Sequence, residues 1–210
     1  MKKSVVIIGK GPSVLNSTEE FVSSFDEVAI CNFPPMDGYE EYIGTKADYH
    51  FLNIHDPNPY KQETINNLGL KVMLNTHPES HDGFSKCFPE HEVSYVCDYG
   101  EVAIPVFKDR YGFDPSCGIM AFEFFVTSSI YSTIGLVGFD FFKVGKRGYF
   151  FPVEDTQQSH RYLYRDDGSQ PFNTKGVRVQ ENAHDSAKSE NFVHSMAKEY
   201  DKELIWKTKT

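Results

Sequence analysis

The stretch that most constrains this chain is residues 4–13, Ser-Val-Val-Ile-Ile-Gly-Lys-Gly-Pro-Ser. A continuous β-branched run that ends in Gly-x-Gly and then enters a helix is the first βα turn of a Rossmann-like sheet. Backbone N–H groups in such a turn can meet a phosphate. About twenty residues later the second strand ends in Cys31-Asn32. Two details depart from the dinucleotide fingerprint. The third glycine position, past Gly11, is Val14, and Asn32 stands where an NAD site carries Asp or Glu for the ribose hydroxyls. The pattern suits a nucleotide sugar or a mononucleotide better than NAD.

With 210 residues the chain can form one α/β domain with a full core, and no linker, repeat or low-complexity tract divides 1–210. A net charge of −9 argues against a nucleic-acid partner, which would need a basic face. The four cysteines, Cys31, Cys87, Cys97 and Cys117, show no CxxC spacing, so no zinc site is expected; Cys31 and Cys117 read as reduced thiols. The apolar run before Gly9 is too short for a signal-peptide core. The apolar segment 118–134 is interrupted by Glu123, Thr127, Ser128 and Ser129 and reads as a buried helix. The expected location is the cytoplasm, with membrane contact at most peripheral; homo-oligomerisation stays open.

Strands are expected at 4–8, 27–31, 48–53, 70–74, 93–97, 134–137 and 203–206. Helices are expected near 14–24, 60–67, from Gly118 onward, and from Asp185-Ser186, where Val193, Met196, Ala197 and Tyr200 form an amphipathic stripe. Strands alternating with helices imply a mostly parallel sheet flanked by helices. Residues 143–182 are long, aromatic and polar, and read as an active-site lid.

Ligands of open α/β sheets bind at the carboxyl ends of strands. Gly9, Lys10, Gly11, Pro12, Ser13, Asn32, Asn53 and Asp140 fall there. An Asn suits a pyrimidine edge or ribose, though it also caps turns. The glycine turn is open to a purely structural role, and Lys10 to being an ordinary surface cation. His184 can serve as a general base near neutral pH; it can equally be a surface histidine beside a helix cap at Asp185 or Ser186. Tyr149, Tyr162 and Tyr164 can donate to a departing phosphate or simply pack a lid. No HExxH or DxD pattern occurs, the loop histidines His77, His81 and His91 show no metal spacing, and Asp166-Asp167 is explained by a turn.

Taken in order, Gly9-x-Gly11-Pro12-Ser13, Cys31-Asn32, Asn53, Ser116-Cys117-Gly118, Gly138-Phe139-Asp140-Phe141 and His184 resemble the bacterial lipooligosaccharide sialyltransferases, glycosyltransferase family 42. Pro115-Ser116-Cys117-Gly118 is similar to the small sialylmotif of the animal family 29. The resemblance implies a single Rossmann-like domain of GT-A variant type and inverting transfer from CMP-sialic acid to a glycan hydroxyl without a metal or other cofactor. By position it implies that Asn32 and Asn53 hold the cytidine and that Gly9–Ser13 lie against the donor. Ser116 or Cys117 would approach the donor sugar, with Gly118 beside them among the donor-binding residues, Tyr149 with Tyr162 would support the leaving phosphate, and His184 would take the acceptor proton. The chain departs from the family pattern at Lys10, where Asn is usual, at Cys117, where Ser is usual, and at Phe142, where the first phosphate-holding Tyr stands. Three other classes fit parts of the pattern: a Mg²⁺-dependent pterin or nucleotide pyrophosphokinase, a non-catalytic nucleotide-sugar binder, and, against Val14 and Asn32, an NAD oxidoreductase.

Overall fold

The computed structural model describes residues 2–32, 34–52, 62–76, 90–95, 104–141, 150–151 and 185–207. Among the described residues seven strands form one sheet: β1 (Lys3–Ile8), β2 (Glu27–Cys31), β3 (Tyr49–Leu52), β4 (Val72–Asn75), β5 (Val93–Tyr95), β6 (Tyr131–Val137) and β7 (Glu203–Lys207). Their order is β5-β4-β3-β2-β1-β6-β7, and every pairing is parallel. The chain steps outward from β1 to β5, then returns to place β6 on the other side of β1. That reversal puts a topological switch point at the carboxyl ends of β1 and β6.

Helices cover both faces, which is why Val5 to Ile8 are all fully buried. On one face Val5, Ile7, Ala29, Cys31, Phe51 and Leu74 pack with three helices. These are α4 (Ile104–Tyr111), α5 (Cys117–Thr127) and α6 (Ser186–Glu199). On the other face Val6, Ile8, Val28, Ile30 and Val137 meet the 3-10 turn Pro12–Asn16, α1 (Glu19–Ser23), α2 (Glu40–Ile43), and Phe150 and Phe151. The helix α3 (Gln62–Leu68) closes the β4 side through Ile65 and Leu68.

The α/β class and the mostly parallel sheet expected from sequence are observed, and several boundaries are corrected. The helix expected over 14–24 is broken: Ser17 leaves the 3-10 turn, and Thr18 Oγ1 caps α1 by accepting from the Phe21 N–H at 3.1 Å. The apolar helix expected to reach 134 stops at Thr127, whose hydroxyl folds back on the Glu123 carbonyl at 2.8 Å. Tyr131–Val137 is then free to pair with β1. Tyr200 is not on the buried stripe of α6; it is the C-cap and is 39% exposed. The short helix α4 has no counterpart in the sequence reading. Its Phe107 and Tyr111 are fixed by edge-on contacts, Phe107 with Phe113 and both with Phe192, which lie on later segments. Among the described residues no helix is long and apolar enough to cross a membrane.

Candidate active site

The β1 turn is locked to the end of β6. The Gly9 N–H donates to the Val137 carbonyl at 2.8 Å and the Gly11 N–H to the Gly138 carbonyl at 3.0 Å. The Ser13 N–H donates to Asp140 Oδ2 at 2.8 Å, and the Val14 N–H turns back to the Gly11 carbonyl at 3.1 Å. Pro12 has no N–H to offer. The protein's own carbonyls and the Asp140 carboxylate thus take the N–H donors of Gly9, Gly11 and Ser13.

The glycines follow from the same contacts. A Cβ on Gly9 would lie 2.7 Å from the Gly138 carbonyl oxygen, and one on Gly11 would lie 2.2 Å from Asp140 Oδ2. Gly138 sits at φ 72° with its missing Cβ directed at Val14 Cγ2, 2.6 Å away. This explains Val14. The close packing that a third glycine gives a dinucleotide turn is supplied here by a glycine on the neighbouring strand, and Val14 fills the space.

Asn32 follows β2 with φ 60°, in the left-handed region that Asn tolerates. Its N–H donates to the Phe51 carbonyl at 2.7 Å. Its carbonyl accepts from His50 Nε2, and since a carbonyl can only accept, Nε2 carries the proton. The side-chain oxygen Asn32 Oδ1 is buried with no hydrogen-bond partner, as is Ser13 Oγ. Two buried polar atoms at this strand-end edge thus keep hydrogen-bonding capacity that a ligand can use.

Residues Ser116 to Gly118 open α5. Ser116 Oγ caps the helix by accepting from the Ile119 N–H at 3.3 Å. Gly118 allows close approach of Phe139, whose Cζ would lie 3.0 Å from a Cβ there. Cys117 is buried, its Sγ 3.3 Å from the Phe51 carbonyl, and its thiol meets that of Cys31. The hydrogen bond with Cys117, reinforced by burial, pushes the Cys31 thiol well above its usual range, while the Lys10 charge opposes the shift. Both are free thiols. Cys117 therefore faces the core under the site and is not open to a sugar.

Lys10 carries its carbonyl to the Phe150 N–H at 3.0 Å. Phe150 and Phe151 are buried, with the Phe150 ring 4.8 Å from that of Tyr39. These are the described residues of the segment 143–182, and they are anchored in the core beside the glycine turn. Tyr149, Tyr162, His184 and Asn53 lie outside the described residues. Asp185, the residue after His184, is the N-cap of α6, with its Oδ1 accepting from the Lys188 N–H at 2.9 Å. Because α6 leads into the parallel strand β7, it starts on the carboxyl-end side of the sheet, the side that holds Gly9–Ser13, Asn32 and Asp140.

Two groups were missed from the sequence. His50, buried in β3, positions the Asn32 carbonyl; a histidine inside the run Tyr49–Leu52 was its only signal. Asn75 and Thr76 end β4 fully buried, and the Thr76 hydroxyl and N–H both donate to the Leu52 carbonyl, at 2.7 and 3.0 Å. The sequence reading ended that strand at Leu74. Among the described residues no three His, Cys, Asp or Glu side chains gather to hold a metal.

No family model matches the chain, and no curated protein matches it in sequence. Solved structures do. A variant of the sialyltransferase CstII in complex with CMP superposes with a TM-score of 0.64 at 16% identity, over 98% of this chain and 81% of that one. CstII from Campylobacter jejuni, in complex with the substrate analogue cytidine-5'-monophosphate, gives 0.61 at 16% identity over 97% and 79%. A mammalian sialyltransferase in complex with Gal-β-1-3GalNAc-ortho-nitrophenol gives 0.51 at 15% identity over 97% and 69%. The chain is thus an α/β protein with a seven-stranded parallel sheet among its described residues. In its particulars it shares the fold of bacterial and mammalian sialyltransferases, the fold that the short sequence islands imply.

Proposed function

We propose that this protein is a metal-independent, inverting glycosyltransferase that moves sialic acid from CMP-sialic acid to a glycan hydroxyl. The observation that carries the reading is Asn32. A side-chain oxygen left buried and partnerless costs free energy that a ligand donor would recover, and it lies on the strand-end edge of a fold whose solved members include CMP complexes. The cytidine amino group is a donor of the right kind for it. Asn53 would complete the cytidine contacts. Tyr149 and Tyr162 would donate to the leaving phosphate, and His184 would accept the proton of the attacking hydroxyl. The lid 143–182 would exclude water, limiting hydrolysis of the donor. The reaction would take place in the cytoplasm, with at most peripheral contact to a membrane that bears the acceptor.

The test is a thermal-shift screen with CMP, UDP, GDP and NAD, with and without Mg²⁺, followed by release of CMP from CMP-sialic acid in EDTA. A ligand that binds only the folded protein raises Tm by mass action. CMP is expected to give the largest shift, independent of Mg²⁺, and His184→Ala to lower kcat by ~10²–10⁴ with the fold retained. A larger Mg²⁺-dependent shift with another nucleotide and no release of CMP would replace this reading with a nucleotide pyrophosphokinase, and transfer abolished by EDTA would overturn the metal independence. CMP binding without turnover would leave a nucleotide sensor.

A further inference from the structure

We propose that Asp140 is a specificity-determining residue that closes this site to nucleoside diphosphates, so that only a nucleoside monophosphate leaving group fits; this rests on the nucleotide reading above. In a dinucleotide turn the second glycine lacks a side chain so that the pyrophosphate can approach the backbone. Here Gly11 is that glycine, and the space above it is filled by a carboxylate. A Cβ on Gly11 would lie 2.2 Å from Asp140 Oδ2 and 3.0 Å from its Cγ. The same oxygen accepts from the Ser13 N–H at 2.8 Å, a donor that a bound phosphate would otherwise use.

Two further observations hold the carboxylate there. The Gly11 N–H to Gly138 carbonyl bond fixes the β1 turn against the β6 end two residues before Asp140. Phe139 and Phe141, on either side of Asp140, pack with rings 6.2 Å apart, and Phe141 stacks edge-on against Trp206 at 5.1 Å. Asp140 therefore occupies the pyrophosphate position from a fixed strand end. A second phosphate brought to Gly11 would meet both a steric block and a like charge, which is costly at close range.

The experiment measures dissociation constants of CMP and CDP by calorimetry, for the whole chain and for the variants Asp140→Ala and Asp140→Asn. Wild type is expected to prefer CMP over CDP by roughly tenfold or more. Asp140→Ala, which removes both bulk and charge, is expected to bring CDP to within roughly threefold of CMP. Asp140→Asn keeps an oxygen for Ser13 and removes only the charge, so its preference should fall between. If Asp140→Ala does not fold, as read by circular dichroism, Asp140→Asn alone decides: a preference unchanged from wild type overturns the proposal. Equal CDP affinity in wild type and folded variants overturns it as well. Should wild type bind neither nucleotide, the CMP reading fails separately, and the Asp140 proposal is then read on CDP alone: gain in Asp140→Ala supports it, and no gain overturns it.

Discussion

The two edges of this sheet are built from similar polar residues to opposite ends. At the amino edge the buried carboxylates of Glu27 and Asp48 are held by cations and hydrogen-bond donors. Glu27 Oε1 pairs with Lys3 Nζ at 2.7 Å, and Oε2 accepts from the Tyr131 hydroxyl, which also meets Tyr49 at 3.0 Å. Asp48 Oδ2 takes the Val28 N–H at 2.9 Å and Lys46 Nζ at 3.0 Å, and Oδ1 takes Lys71 Nζ at 2.6 Å. Burial works against ionising Glu27 and Asp48, yet their partners win and both carboxyls sit below their usual range. At the carboxyl edge Asn32 Oδ1 and Ser13 Oγ are buried and unmatched. Matched groups stabilise a fold on their own; unmatched ones at a strand-end edge leave hydrogen-bonding capacity for a group that arrives later.

The comparison can be broken at its matched edge first. Glu27→Ala removes the carboxylate that accepts from the buried Tyr131 hydroxyl and pairs with Lys3, leaving Tyr131 only its contact with Tyr49. It is expected to lower unfolding free energy by about 2 kcal/mol, the loss of a charge-assisted hydrogen bond to a buried donor, by urea denaturation, while nucleotide affinity per folded molecule stays unchanged. Loss of CMP affinity comparable to the stability loss would mean that the two edges are not separable.

At the unmatched edge Asn32→Gly should give the inverse result. Glycine relieves the φ 60° backbone and removes the orphaned oxygen. Stability is expected to hold or rise by a few tenths of a kcal/mol, while CMP binding weakens roughly tenfold, about 1.4 kcal/mol. A variant that loses stability and keeps CMP affinity would show that Asn32 serves the fold and not a ligand.

The smallest effect concerns a third group, Glu123 on α5. Its Oε2 is also buried without a partner, yet Tyr111 donates to Oε1 at 3.0 Å and Arg110 lies 3.9 Å away. Burial raises its carboxyl above the usual range against these two partners. A folded-state value above the unfolded one means that the contribution to stability is full below the unfolded glutamate range. It is lost as pH rises through the raised folded value. Glu123→Gln should therefore match wild type in acid and become slightly more stable than it as pH rises toward neutrality, read by Tm against pH. The opposite slope would make Glu123 a matched anion like Glu27. The same burial holds the Tyr111 phenol up at about 12, so it stays a donor throughout.

Much of this was local and so legible in the chain itself. The run Val5–Ile8 is a strand covered on both faces, Asp185 caps the helix it precedes, and β2 ends at Cys31 as read. Each depends on a few neighbouring residues whose backbone preferences agree. What the chain did not disclose depends on residues far apart in it. Ser13 and Asp140 are 127 positions apart, and only their hydrogen bond shows that the glycine turn is already occupied. Val14 is read locally as a missing glycine, but Gly138 supplies the space for it. His50 matters because parallel pairing brings β3 beside β2. Local sequence sets which strands and caps can form; sheet order decides which backbone donors remain for a ligand, because a hydrogen bond taken up between strands is no longer available to it.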